Sequence, residues 1–152
     1  MKKNLPKIGA YCVVEEDVEI GDNCEIGNYV LIKSGTKIGD NVFIDSYVRF
    51  SGNCVIGDNV TLRYGCTIAR GVHIKDGVFM SPNVMTIYSG PHNSDATKTI
   101  LIEEDAYIGT AAVIGEGVKI GKGAIIGAMA YVTKDCEPGR TYIGVPARDI
   151  KK

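Results

Sequence analysis

The stretch Ile20-Gly21-Asp22-Asn23-Cys24-Glu25-Ile26-Gly27-Asn28-Tyr29-Val30-Leu31-Ile32 returns to isoleucine at every sixth position. Read outward, the phase holds at Ile8 and Val14 before it and at Ile38, Ile44, Phe50, Ile56, Leu62, Ile68, Ile74 and Met80 after it. It resumes at Ile102 and runs through Ile108, Ile114, Ile120, Ile126 and Val132. A period of six fits neither the 3.6 residues of a helical turn nor the longer strands of a sandwich. It predicts a β-solenoid of short strands joined by sharp corners.

Corners account for the 19 glycines. One set, Gly9, Gly21, Gly27, Gly39, Gly57, Gly109, Gly115, Gly121 and Gly127, follows a periodic apolar residue directly; a second, Gly35, Gly65, Gly71, Gly77, Gly117 and Gly123, comes two later. Both sets, with the Asp-Asn pairs at 22-23, 40-41 and 58-59, are expected to take positive φ where the chain bends. The five cysteines, Cys12, Cys24, Cys54, Cys66 and Cys136, all fall four residues after a periodic position, in a small inward slot that valine or alanine fills elsewhere. They read as compact core residues and not as a disulfide or zinc framework.

A chain of 152 residues, 45% hydrophobic and with a formal net charge of -1, is expected to be one soluble domain spanning 1–152. Nothing in that charge attracts nucleic acid. Lys2 and Lys3 are followed by no apolar run, so neither a signal peptide nor a membrane span is expected, and the expected address is cytoplasmic.

A hexad run of this regularity resembles the left-handed parallel β-helix of the hexapeptide-repeat acyltransferases, in which three hexads make one triangular coil. The resemblance covers about nine-tenths of the chain. Residues 18 apart then stack in columns at about 4.8 Å. One outward column reads Val13, Leu31, Arg49, Thr67, Met85 and another Glu25, Phe43, Thr61, Phe79. Large apolar side chains standing outside the core point to a partner surface, and the resemblance implies a homotrimer of prisms packed side by side.

The period slips between Met80 and Ile102, which are 22 residues apart, so a loop of about residues 86–101 is expected to leave the coil. A loop of that length on so regular a scaffold is expected to carry the chemistry. His92, one of two histidines, lies in it. An imidazole with an ordinary pKa of about 6.5 can take a proton near neutrality, which makes it the candidate general base. The resemblance to maltose- and galactoside-type sugar O-acetyltransferases implies that role, although Ser89-Gly90-Pro91-His92 places Pro before His where Gly-His-Pro is usual. His73 stands on the outward column Glu19, Lys37, Val55, His73, and counting 18 further reaches Pro91. If the coil persists to that point, the two imidazoles come within one or two rungs; otherwise His73 is a surface histidine on a strand face. His73, Asn83 and Tyr88 are the candidate acceptor contacts.

The end of the chain, Ile126-Gly127-Ala128-Met129-Ala130-Tyr131-Val132-Thr133-Lys134-Asp135 and then Tyr142-Ile143-Gly144-Val145-Pro146-Ala147-Arg148, is similar to that of CoA-dependent hexapeptide acyltransferases. The resemblance implies acetyl-CoA as co-substrate, with Thr110, Ala128, Thr133, Lys134 and Arg148 lining its site and residues 138–152 as a closing tail. Lys and Arg would meet its phosphates, and an amide near Gly109 or Thr110 would meet the thioester oxyanion. The implied acceptor is a sugar or nucleotide-linked sugar hydroxyl, with no metal involved. The approach from Val72 to Asn83 and the Gly-Val-Pro-Ala-Arg finish also resemble N-acetyltransferases of nucleotide-linked amino sugars. A zinc-dependent carbonic anhydrase of this fold needs three histidines. A non-catalytic scaffold would leave the loop and the tail without a purpose.

Overall fold

The computed structural model describes residues 4–88 and 98–151; His92 lies outside them. The described residues form short parallel strands wound as a left-handed β-helix of about seven coils. No described helix is long and apolar enough to cross a membrane. Three sheets make the three faces of the prism. Face one stacks Lys7–Ile8, Glu25–Ile26, Phe43–Ile44, Thr61–Leu62, Phe79–Met80, Tyr107–Ile108 and Ile125–Ile126. Face two stacks Val13–Val14, Leu31–Ile32, Arg49–Phe50, Thr67–Ile68, Met85–Thr86, Val113–Ile114 and Tyr131–Val132. Face three stacks Glu19–Ile20, Lys37–Ile38, Val55–Ile56, His73–Ile74, Leu101–Ile102 and Lys119–Ile120.

The register is 18 residues per coil, as in Phe43 against Thr61, until the loop, where Ile74 pairs with Ile102 and Phe79 with Tyr107. Each periodic residue therefore packs on its counterparts above and below. Ile32, Phe50, Ile68, Ile114 and Ile120 are fully buried, each contributing about 1.5–3 kcal/mol relative to exposure. The first coil has no neighbour above it, so Ile8 and Val14 remain 46% and 40% exposed. The other end is closed. Thr141–Ile143 joins face one, and Arg148–Asp149 turns back antiparallel on it.

The cysteines lie where the hexad phase puts them, unpaired, with Cys24, Cys54, Cys66 and Cys136 buried and Cys12 partly so. The two glycine sets separate by physical cause. The later set does take positive φ, for example Gly35 at 76°, and Asn23, Asn41 and Asn59 take it at 56–58°. The earlier set does not. At Gly109 a Cβ would stand 2.5 Å from the Ala128 nitrogen, and at Gly27 it would stand 2.6 Å from that of Ser46. These glycines are required by the close approach of the next coil's backbone, which corrects the expectation of positive φ there. The aspartates of the Asp-Asn pairs serve differently again: Asp40 Oδ1 accepts the Asp22 N–H at 2.8 Å, and Asp58 accepts that of Asp40 at 2.7 Å.

At one corner the left-handed position is filled by tyrosine. Tyr11, Tyr29 and Tyr47 have φ of 57–63°, and their rings stack at 5.1 and 5.0 Å, with Tyr64 closing the ladder at 5.3 Å. Ring stacking of this kind, about 0.5–1.5 kcal/mol per pair, offsets the backbone strain of a bulky residue there.

Candidate functional site

The loop leaves the fifth coil between faces two and three. Thr86 is the polar member of face two's inner column, and it marks the departure. Its hydroxyl accepts the Ala69 N–H at 2.7 Å and donates to the Thr67 carbonyl at 2.9 Å. In the coil above, the equivalent amide of Ser51 bonds a main-chain carbonyl, that of Ile68. The side chain thus replaces a carbonyl that has turned away with the loop. The chain rejoins where the Ile100 carbonyl accepts the His73 N–H at 2.9 Å.

His73 is half-buried on face three, with Val55 above and Leu101 below it. From His73 the next residue in the column is 28 on and not 18, so the register gains ten residues across the loop. The condition of an unbroken 18-residue count from His73 is not met, and Leu101 occupies the next place in its column. Tyr88 stands exposed at the start of the loop.

Asn83, Thr110 and Ala128 fall along the edge between faces one and two, in the fifth, sixth and seventh coils. Thr133 and Lys134 fall on the opposite edge of face two, in the seventh coil and on the loop's side of the prism. Face two therefore separates the candidates, with Met85, Val113 and Tyr131 pointing outward between them. One prism alone does not gather them around a single ligand. Lys134 and Arg148 both line a depression of about 380 Å³ at the capped end, together with Arg140 and the acidic Asp135, Glu137 and Asp149. There Arg140 pairs with Asp149 at 3.2 Å. A larger depression of about 530 Å³ lies at the open first coil, but its lining of Asn4, Leu5, Lys7, Asn23, Cys24 and Glu25 includes no candidate residue. Size does not mark the site here.

Two amides near the proposed oxyanion position differ. Gly109 N–H donates to the Ile126 carbonyl at 2.7 Å. The Thr110 N–H has no acceptor among the described residues. Higher on the same edge, Ala10 N–H donates to Asn28 Oδ1 at 2.8 Å and Asn28 N–H to Ser46 Oγ at 3.0 Å. Below Thr110 the next coil offers Ala128, which has no side-chain acceptor. Thr110 is exposed, so this donor faces the surroundings.

At the edge between faces three and one, Glu103 bridges Lys75 at 2.9 Å and Lys119 at 3.4 Å. The Lys75 hydrogen bond holds its carboxyl below the usual range. Among the described residues no group of three or more His, Cys, Asp or Glu side chains could hold a metal ion.

Residues 4–34, 35–70 and 99–134 match the bacterial transferase hexapeptide (six repeats) family, and the chain belongs to it. Its fold is shared by a GDP-perosamine N-acetyltransferase variant from Caulobacter crescentus solved with CoA and GDP-perosamine (21% identity, TM-score 0.65, 99% of this chain and 58% of that one). It is shared also by WeeI from Acinetobacter baumannii AYE (31%, 0.56, 95% and 55%) and by a maltose O-acetyltransferase from Clostridium difficile 630 (23%, 0.55, 98% and 68%). The chain spans little more than half the length of the first two. No curated protein matches it in sequence.

Proposed function

We propose that residues 1–152 form one domain of a cytoplasmic, homotrimeric acetyltransferase that moves the acetyl group of acetyl-CoA to a hydroxyl of a sugar or nucleotide-linked sugar. The observation that carries this reading is the match of residues 4–34, 35–70 and 99–134 to the transferase family. The exposed Thr110 N–H, unpartnered among the described residues as are those of Tyr64 and Ala128 on the same edge, supplies a candidate oxyanion donor. The acceptor oxygen attacks the thioester carbonyl carbon while His92 takes its proton. The oxyanion that forms is met by the Thr110 amide, a donor already in place before reaction. Collapse breaks the C–S bond, and the proton on His92 leaves with CoA as the free thiol. Lys134 and Arg148, facing one depression, suit the CoA phosphates. A second prism set against face two would bring the separated edges to one ligand, which supports the trimer.

The test is an acetyl-transfer screen with maltose and GDP-perosamine as acceptors, read as free CoA released. His92→Ala should lower turnover of a hydroxyl acceptor by about 10²-fold or more, while acetyl-CoA still raises the melting temperature. Unchanged turnover removes the base role. The likeness to the N-acetyltransferase over 99% of the chain favours a second reading, transfer to an amino sugar. An unprotonated amine is already nucleophilic, so on that reading turnover of the amino sugar survives in His92→Ala.

A further inference from the structure

Tyr107 stands outward on face one, 44% exposed, yet it is held in two ways. Its ring lies 5.5 Å from that of Phe79 in the coil above, the planes only 4° apart. Its hydroxyl accepts a hydrogen bond at 3.1 Å from Ser81 Oγ, which is buried. Packing does not require that hydroxyl, since Phe43 and Phe79 serve in the same column without one. Ser81 occupies the column position that is glycine in the next two coils, Gly109 and Gly127. A buried serine there has one polar effect on the described residues, which is to fix the direction of the Tyr107 oxygen.

That bond uses one of the hydroxyl's hydrogen-bonding positions, and no other described residue bonds to it. The hydroxyl sits at the end of face one that meets Pro82 and Asn83, on the same edge as the unpartnered Thr110 N–H. The free position of that hydroxyl and the Thr110 N–H thus share one edge, both from residues of the sixth coil.

We propose that Tyr107 is an acceptor-binding residue, its hydroxyl hydrogen-bonded to a sugar hydroxyl, with Ser81 as its positioning residue. The inference rests on the acetyltransferase reading above and adds a specificity determinant to it. A rigid exposed tyrosine loses little freedom on binding, and a hydroxyl held by a buried partner keeps its place. Such a group discriminates acceptors that offer an oxygen at that point from those that do not.

The experiment compares wild type, Tyr107→Phe and Ser81→Ala with whichever of maltose and GDP-perosamine the wild type acetylates. Tyr107→Phe should raise KM for the acceptor by about tenfold and leave KM for acetyl-CoA unchanged, while the melting temperature falls because the buried Ser81 hydroxyl loses its partner. Ser81→Ala should shift the acceptor KM in the same direction by less. An acceptor KM equal to that of wild type in Tyr107→Phe, or equal rises in both KM values, overturns the proposal alone. Absence of transfer by the wild type to either sugar overturns the acetyltransferase reading, and this inference with it.

Discussion

The hydroxyl of Thr86 takes the place of a main-chain carbonyl for Ala69, accepting its amide at 2.7 Å where the chain turns out of the prism. Both residues are buried, 3% and 5% exposed. An amide in that position without a partner costs the full penalty of its desolvation. Thr86→Val should therefore lower unfolding stability by about 1–3 kcal/mol, read as a shift of the urea midpoint. Thr86→Ser keeps the acceptor and should lose less. Equal midpoints for wild type and Thr86→Val would show that the hydroxyl does not hold the departure point.

Thr36 presents the opposite case. Its side chain is fully buried in the slot that Val72 and Val118 fill in other coils, and its Oγ1 has no hydrogen-bond partner. The adjoining Cys54 thiol donates instead to the Ala69 and Gly52 carbonyls. The hydroxyl lies near enough to oppose the burial-driven rise of the Cys54 pKa, but it makes no bond of acceptable geometry. Thr36→Val, of nearly the same shape, should stabilise the fold by about 1 kcal/mol. A lower melting temperature in that variant would mean that the hydroxyl has a partner in solution.

Burial pushes the Cys66 thiol up from 9.0 to about 11 and that of Cys136 up to about 12. Between the unfolded and folded values the native state keeps protons that the unfolded chain has lost. Stability is therefore complete below about pH 8.5 and falls as pH rises toward the folded values, by about 1.4 kcal/mol per pH unit for each thiol. Cys66→Val, matching Val48 and Val84 in its column, should make that alkaline decline shallower. Chemical denaturation at pH 7, 9 and 10 reads the slope, and an unaltered slope in the variant would remove Cys66 as its source.

Thr110→Pro isolates the proposed oxyanion donor. Pro82 already stands at the equivalent corner one coil above, so the scaffold accepts proline there. The variant loses the N–H, and its kcat should fall by about 10²–10³-fold while acetyl-CoA still raises the melting temperature. Retained kcat would assign the oxyanion to another group.

Period and phase alone carried the faces, the 18-residue columns and the inward place of every cysteine, because in a solenoid each residue's environment repeats with the coil. The same count does not carry across the loop, where His73 pairs with Leu101, 28 residues on, since a loop displaces the register without altering the hexads on either side of it. Gly109 and Gly35 looked alike as corner glycines, yet one is required by the backbone of the next coil and the other by its own φ. Ser81 and Tyr107 lie 26 residues apart, neither a hexad multiple nor a coil, so their contact depends on how much chain the loop removes. The separation of Thr110 from Lys134 by the width of face two also follows from folding the columns into a prism, and no motif records it.

Face three resumes after the loop in unbroken register, Ile74 on Ile102 and then Ile102 on Ile120. The prism thus accepts a register gain of ten residues between Thr86 and Ile100 without a change of pairing on either side, so chain length there is set apart from the period that builds the coils. Selection on what the protein recognises can act there while selection on whether it folds acts elsewhere, and the two histories need not constrain each other.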